Sequence, residues 1–313
     1  MATPPTPSVT DPEMDPAVGD DLRHIVLNVN YGGLAGLGAT LVSMIEHCSQ
    51  PGKLMLHIMC SQLAEEHKRN ISAILQEADY TGGYRFIDYD ASEHFGHLPA
   101  LLGDLTTYGR LLIPDFVEAD KVTYLDSDLV IACDIIDLCD TDIGDQLIGG
   151  VTRGQVATAL DRQYFFDRGV PPSMPYFNAG VLIMNLAKWR KEGVEARWKA
   201  IVADEPLALK AHDQTTLNFL CQGDFYRLPE EYNTPFLAHY SKEGRQTGIL
   251  HFIGSPKPWD FMGSMIHEGY DLWKRYNPER WSRLYLSMDE ERMRRTWQIR
   301  RSLLRSAVSR IKA

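Results

Sequence analysis

Two carboxylates two residues apart, Asp126 and Asp128, close the apolar run Val122-Thr-Tyr-Leu125 and open another, Leu129-Val-Ile131. At the end of a buried strand such a pair brings two negative charges to the edge of the core, which is costly unless something compensates. A divalent cation held by carboxylate oxygens, with its remaining positions left to water and phosphate oxygens, offsets that cost directly. The plainer alternative is a polar turn with a solvated acidic pair; the apolar flanks on both sides favour a site. Far downstream lies Ile249-Leu-His251-Phe-Ile-Gly254-Ser-Pro-Lys257-Pro-Trp259. An imidazole after a short apolar run, a glycine that permits close backbone approach and a lysine in a proline-stiffened turn together suit a metal-bound diphosphate. Taken alone, His251 reads as a hydrogen-bonded core histidine.

The surrounding pattern must place these groups. From His24 a short β-branched run is followed by Gly-Gly and a helical stretch, Leu37 to His47. The alternation recurs as strands over Leu54–Met59, Tyr84–Tyr89, Lys121–Leu125 and Leu147–Val151, with a helix over Leu63–Gln76. This predicts an α/β fold: one mixed, mostly parallel Rossmann-like sheet flanked by helices on both faces. Ligands collect at the carboxyl ends of the strands in such a sheet. There the chain is polar: Asn28 to Tyr31 follow the first strand, Asp126 to Asp128 follow a later one, and Phe177 to Gly180 precede the run Val181 to Asn185. The glycine-rich Gly32-Gly-Leu-Ala-Gly-Leu-Gly38 lacks dinucleotide-binding spacing, and the second strand ends in Met59-Cys60 rather than in an acid for a ribose.

Composition narrows the class. The chain has 313 residues, 44% of them hydrophobic, enough for one large core. A net charge of −10 argues against nucleic acid as the main partner. Five scattered cysteines read as buried thiols rather than as a disulfide frame. No apolar run of about 18 residues occurs, and residues 1 to 20 lack a signal-peptide pattern, so a cytoplasmic protein is expected. Those twenty residues, with five prolines and no apolar periodicity, read as a disordered leader. Residues 279–313 read as a basic amphipathic helical tail. From Arg280 onward ten Arg and Lys face three acids, a net +7 that leaves −17 for the body.

Four segments occur in order: Tyr124-Leu-Asp-Ser-Asp128, Phe177-Asn-Ala-Gly-Val-Leu-Ile-Met-Asn185, His212-Asp-Gln-Thr-Thr-Leu-Asn218 and His251-Phe-Ile-Gly-Ser-Pro-Lys-Pro-Trp259. Together they make residues 22 to 278 resemble glycosyltransferase family 8, the family of bacterial lipopolysaccharide galactosyl- and glucosyltransferases and of glycogenin. The resemblance implies a GT-A fold over 21–278, a UDP-sugar donor such as UDP-glucose or UDP-galactose, Mn2+ or Mg2+ in its place, and retention of anomeric configuration. It implies that Asp126, Asp128 and His251 bind the metal and that Gly254 and Lys257 hold the diphosphate. Arg110 is expected to contact donor phosphate or sugar, Asn28, Asn30 and Tyr31 to hold the uridine, and Ser127 to lie against the donor. Asn178, Asp213 and Gln214 are expected to line the sugar pocket, with Gln214, Asp213, Arg110 and Lys257 carrying the chemistry. Asn178 could equally cap a turn and Asp213 a helix.

Three positions depart from the family pattern: Asn28 where an acid is usual, Thr215 in place of the last acid of Asp-Gln-Asp, and Thr152-Arg153 where many members carry a sugar-binding acid. A non-catalytic nucleotide-sugar-binding protein of the same fold is the alternative reading. In the tail, Met293, Trp297, Leu304, Val308 and Ile311 share a narrow arc at about 100° per residue. With Arg294, Arg301, Arg305 and Lys312 beside them, this is the pattern of a helix lying in an anionic membrane interface, on the inner face of the cell membrane, close to a glycan or lipid-linked acceptor. A helix docked on the acidic body by the same apolar face is the rival.

Overall fold

The structure, a computed structural model, describes residues 21–101, 103–238 and 247–312; the leader expected over 1–20 lies outside them. Strand β1 (Arg23–Val29) leads through helix α1 (Leu34–His47) to β2 (Leu54–Ser61), helix α2 (Glu65–Glu77) and β3 (Gly83–Tyr89). Then follow β4 (Lys121–Leu125), β5 (Leu129–Ala132), β6 (Ile148–Gln155), β7 (Pro175–Asn185), β8 (Tyr226–Arg227), β9 (Thr234–Pro235) and β10 (Gly248–His251). The main sheet runs β3-β2-β1-β4-β7-β6-β8. Its neighbours are parallel except at β7, which is antiparallel to both β4 and β6.

The strands are near-continuous apolar runs because both faces are covered. Ile25 and Leu27 enter one core and Val26 the other, all three fully buried. Side chains of successive residues on one strand thus feed the two cores in alternation. The chain leaves β1 towards β2 and β3 on one side and returns as β4 on the other. That reversal opens a crevice at the carboxyl ends of β1 and β4, where Asn30 and Asp126 stand.

The acidic pair sits where the chain passes from the main sheet into a second one, β5-β10-β9. There Leu129 pairs with His251, and the Phe252 N–H donates to the Asp128 carbonyl at 3.0 Å. This places the downstream histidine opposite the carboxylates.

The glycines of α1 are packing slots. A Cβ on Gly36 would lie 2.5 Å from the Ser127 carbonyl oxygen and 2.8 Å from the Trp259 ring, and one on Gly38 would lie 2.5 Å from the Trp281 ring. Trp281 belongs to the helix Glu279–Tyr285, is buried, and donates from Nε1 to the Leu34 carbonyl at 2.7 Å. Residues 279 to 285 are therefore packed into the body, and the long terminal helix is Glu290–Lys312. Cys60, Cys139 and Cys221 are buried, while Cys48 and Cys133 are half-buried; all five are free thiols.

Candidate functional site

Asp126, Asp128 and His251 each offer a ligand atom within 4.8 Å of the others. Asp126 is held at the end of β4 by its N–H, which donates to the Gly180 carbonyl at 2.8 Å. A Cβ on Gly180 would lie 2.3 Å from the His251 ring and 2.8 Å from the Asp126 carboxylate, so only glycine fits between them. Because β7 runs antiparallel to β4, its early residues, not its late ones, meet the carboxyl end of β4. That is why the polar motif precedes its apolar run.

The imidazole orientation is set from behind. His251 Nδ1 lies 2.9 Å from the Asn233 side-chain oxygen, so Nδ1 carries the proton and Nε2 faces the carboxylates, 3.1 Å from Asp128 Oδ1 and 3.8 Å from Asp126 Oδ2. In this tautomer, assigned from the hydrogen-bond partners, two lone pairs meet across 3.1 Å, and Asp128 Oδ1 is buried with no hydrogen donated to it. A cation shared between imidazole and carboxylates satisfies both, and the donor set of one nitrogen and carboxylate oxygens suits a divalent transition ion. Asn233 also donates to Asn178 Oδ1 at 2.8 Å, which accepts from Gly180 N at 3.0 Å. Asn233 carries no motif in the sequence and was not among the expected site residues.

Positive charge surrounds the acids. Lys257 Nζ donates to Asp128 Oδ2 at 2.6 Å and to the Phe252 carbonyl. Burial alone would raise the Asp128 carboxyl, but the Lys257 ammonium beside it outweighs that and holds the group well below the usual carboxylate range. Arg110, only 5% exposed, reaches Asp126 Oδ1 at 3.1 Å and Asp213 Oδ2 at 2.9 Å, donates to the Ala179 carbonyl, and lies 4.4 Å from the centre of the Tyr124 ring. Tyr124 donates to Asp126 Oδ1 at 2.8 Å. Asp213 is buried at the first position of the helix Asp213–Cys221, and that burial pushes its carboxyl up to about 6 despite Arg110.

The Gln214 side-chain oxygen accepts from Asn178 Nδ2 and from Ala179 N, each at 3.0 Å. Gly254 turns the chain at φ +75° and Lys257 follows. Ser127, Asp128, Lys257 and Asn30 line one cleft of about 240 Å3. Asn30 also accepts from Gly33 N at 3.0 Å.

Two residues expected at the nucleoside make other contacts. Asn28 is buried, with Tyr89 donating to its oxygen at 2.7 Å and its nitrogen donating to the Thr106 carbonyl at 2.6 Å. Tyr31 donates to Asp289 at 2.6 Å and packs against His67 and Tyr285. Thr215 is fully buried and its hydroxyl accepts from Ala211 N at 3.1 Å, so no carboxylate stands there. Arg153 pairs with Glu230 at 3.6 Å.

The model of the family described as glycosyl transferase family 8 matches residues 24–263. Glycosyltransferase GlyE of Streptococcus pneumoniae is 30% identical over 281 residues, 83% of this chain and 62% of GlyE, so the chain spans less than two thirds of that relative. The lipopolysaccharide glucosyltransferase WaaO of Escherichia coli is 26% identical over 263 residues, covering 76% of this chain and 74% of WaaO. Among solved structures, galactosyltransferase LgtC in complex with donor and acceptor sugar analogues superposes with a TM-score of 0.68 at 25% identity, covering 82% of this chain and 98% of LgtC.

Proposed function

Because the chain belongs to glycosyltransferase family 8 and has its GT-A fold, we propose that it is a retaining, Mn2+-dependent hexosyltransferase. It takes glucose or galactose from a UDP-sugar and passes it to a glycan or lipid-linked acceptor of the kind used in lipopolysaccharide biosynthesis. The observation that carries this reading is the triad of Asp126, Asp128 and His251, with lone pairs converging beside Lys257 and Arg110.

A divalent ion bound by the triad would supply Lewis-acid charge to the departing diphosphate. Lys257 then exchanges Asp128 for phosphate oxygens, and its ammonium gains in value as negative charge grows on the leaving group. Arg110 pairs with both Asp126 and Asp213 and fixes their directions in the floor of the site. Gln214 is a poor nucleophile here: both lone pairs of its oxygen already receive N–H groups. With Thr215 in place of an acid and Asp213 tied to Arg110, the arrangement favours same-face attack by the acceptor through an oxocarbenium-like state.

The test is donor hydrolysis and transfer. UDP-glucose or UDP-galactose should be hydrolysed at least about tenfold faster with Mn2+ than with chelator, and the transferred sugar should show the α-anomeric signal by proton NMR. A β product would refute retention. Tight UDP-sugar binding without turnover would establish the alternative, a non-catalytic nucleotide-sugar-binding protein.

Membrane attachment belongs to the same proposal. Among the described residues no helix is long and apolar enough to cross a membrane. The helix Glu290–Lys312 docks through Ile299 and Leu303, packed against Ile266, and not through the arc seen in the sequence. Met293, Trp297, Leu304 and Val308 are left 49% to 69% exposed in one stripe; the side chains of Ile311 and Lys312 lie outside the described set. Such a stripe flanked by arginines suits an anionic lipid interface, with each basic residue worth about 1 kcal/mol. The full-length protein should sediment with phosphatidylglycerol vesicles at low salt and be released by high salt. A Trp297→Glu, Leu304→Glu variant should stay in the supernatant with unchanged far-UV circular dichroism; wild type that ignores the vesicles would overturn the reading.

A further inference from the structure

The terminal helix has three faces when wound at about 100° per residue. One carries the exposed stripe and a second the buried Ile299 and Leu303. The third, bearing Glu291, Arg294, Arg295 and Gln298, forms one wall of a cleft that Asn30, Asp104, Ser127, Asp128 and Lys257 line as well.

The helix is fastened to both ends of that cleft. At the β1 loop, Tyr31 bonds to Asp289, and a Cβ on Gly32 would come within 3.0 Å of the Glu291 carboxylate. At the other end, Arg292 donates to the Trp259 carbonyl at 2.7 Å. Arg295 grips both oxygens of the buried Asp260, at 2.5 and 2.9 Å, and Asp260 accepts the Lys257 backbone N–H at 2.7 Å. A two-pronged guanidinium grip fixes a carboxylate in direction as well as distance. The backbone from which the Lys257 ammonium projects is thereby referred to the helix. Arg294, by contrast, is exposed on the cleft wall, with Glu291 on the same helix face as its charged neighbour.

We propose that the terminal helix completes the donor site: Arg294 is a further diphosphate-binding residue, and Arg295 is a positioning residue that aims Lys257 through Asp260. The inference rests on the donor-binding reading above. A guanidinium opposite an ammonium across a cleft suits the paired negative charges of a diphosphate, and the fork of Arg294 can take two phosphate oxygens at once.

The experiment uses the full-length chain with Mn2+, UDP titrated by calorimetry and uridine by NMR. Arg294→Ala should weaken UDP about tenfold, which is about 1.4 kcal/mol, while uridine affinity stays within about twofold. Arg295→Ala should lower kcat for donor hydrolysis about tenfold with little change in KM, since the charge it aims matters most as the leaving group departs. Asp260→Asn should reproduce that split, and Arg295→Lys should restore only part of it because a point charge cannot hold both oxygens. Arg294→Ala that binds UDP as wild type does, or that loses UDP and uridine equally, overturns the Arg294 assignment. Arg295→Ala with equal losses in kcat and stability, or with none, overturns the positioning role. Wild type that binds no UDP overturns the donor-site reading, and this inference with it.

Discussion

Asp128→Ala is expected to fold and to lose sugar transfer by about a thousandfold or more, the scale on which removing a group that stabilises developing charge is felt. Asp128 gathers the site: one oxygen holds the Lys257 ammonium and the other faces His251 Nε2. Its removal takes away one member of the triad and the carboxylate that anchors Lys257 together. Its side chain is 21% exposed, so truncation leaves a gap that water can fill rather than a dry cavity in the core. Mn2+ should raise the melting temperature of wild type, because a ligand of the folded state alone stabilises it by mass action, and should leave that of the variant unmoved. Asp128→Asn keeps the shape without the charge and should be nearly as inactive. Near-normal turnover of either variant in metal-depleted buffer would remove the triad from the chemistry.

Arg110→Ala should be damaging in a different way, costing about 3–5 kcal/mol of stability in addition to activity. The guanidinium is the countercharge for Asp213 and Asp126 at once, and it satisfies the Ala179 carbonyl. Without it a fully buried carboxylate is left unpaired. Arg110→Lys should recover little, because one ammonium cannot bridge two carboxylates and a carbonyl in those directions.

The loss has a definite pH dependence. The folded Asp213 carboxyl titrates near 6 even with Arg110 present, above its unfolded value of about 3.9, so the folded state takes up the extra proton. A raised carboxyl destabilises the fold only where it must ionise: the penalty is absent below about pH 4 and grows as pH rises through the folded value. Removing Arg110 raises that value further, so the variant should be closest to wild type near pH 5 and furthest from it at pH 8. Chemical denaturation at the two pH values reads this. A stability gap that does not widen from pH 5 to pH 8 would show that Asp213 is not held charged by Arg110.

How much of this was legible in the residues depends on how local each determinant is. The strands could be read because a parallel strand covered on both faces must be apolar at nearly every position, as in Leu54–Ser61. The acidic pair could be read because two carboxylates between apolar runs are costly without a partner, whatever the partner is. The glycines Gly36 and Gly38 could not be read correctly from spacing alone. Their reason is the rings of Trp259 and Trp281, more than 200 residues away in the chain.

The same division holds across the site. Periodicity and the cost of burying charge set the mostly parallel α/β scaffold, the crevice at its strand ends and the identity of the charged groups that meet there. Tertiary structure alone decided which groups stay available and which are tied to the protein. Asn28 is drawn to Tyr89 of β3 and to the Thr106 carbonyl, His251 is turned by Asn233, and Lys257 is aimed through Asp260 by Arg295. It also decided the docking face of the terminal helix. Two apolar arcs compete there, and the shorter one, Ile299 with Leu303, prevails because Ile266 is positioned to receive it. Hydrogen-bond partners and packing surfaces distant in the chain leave no periodic trace in it, so their consequences become visible only once the chain has closed on itself.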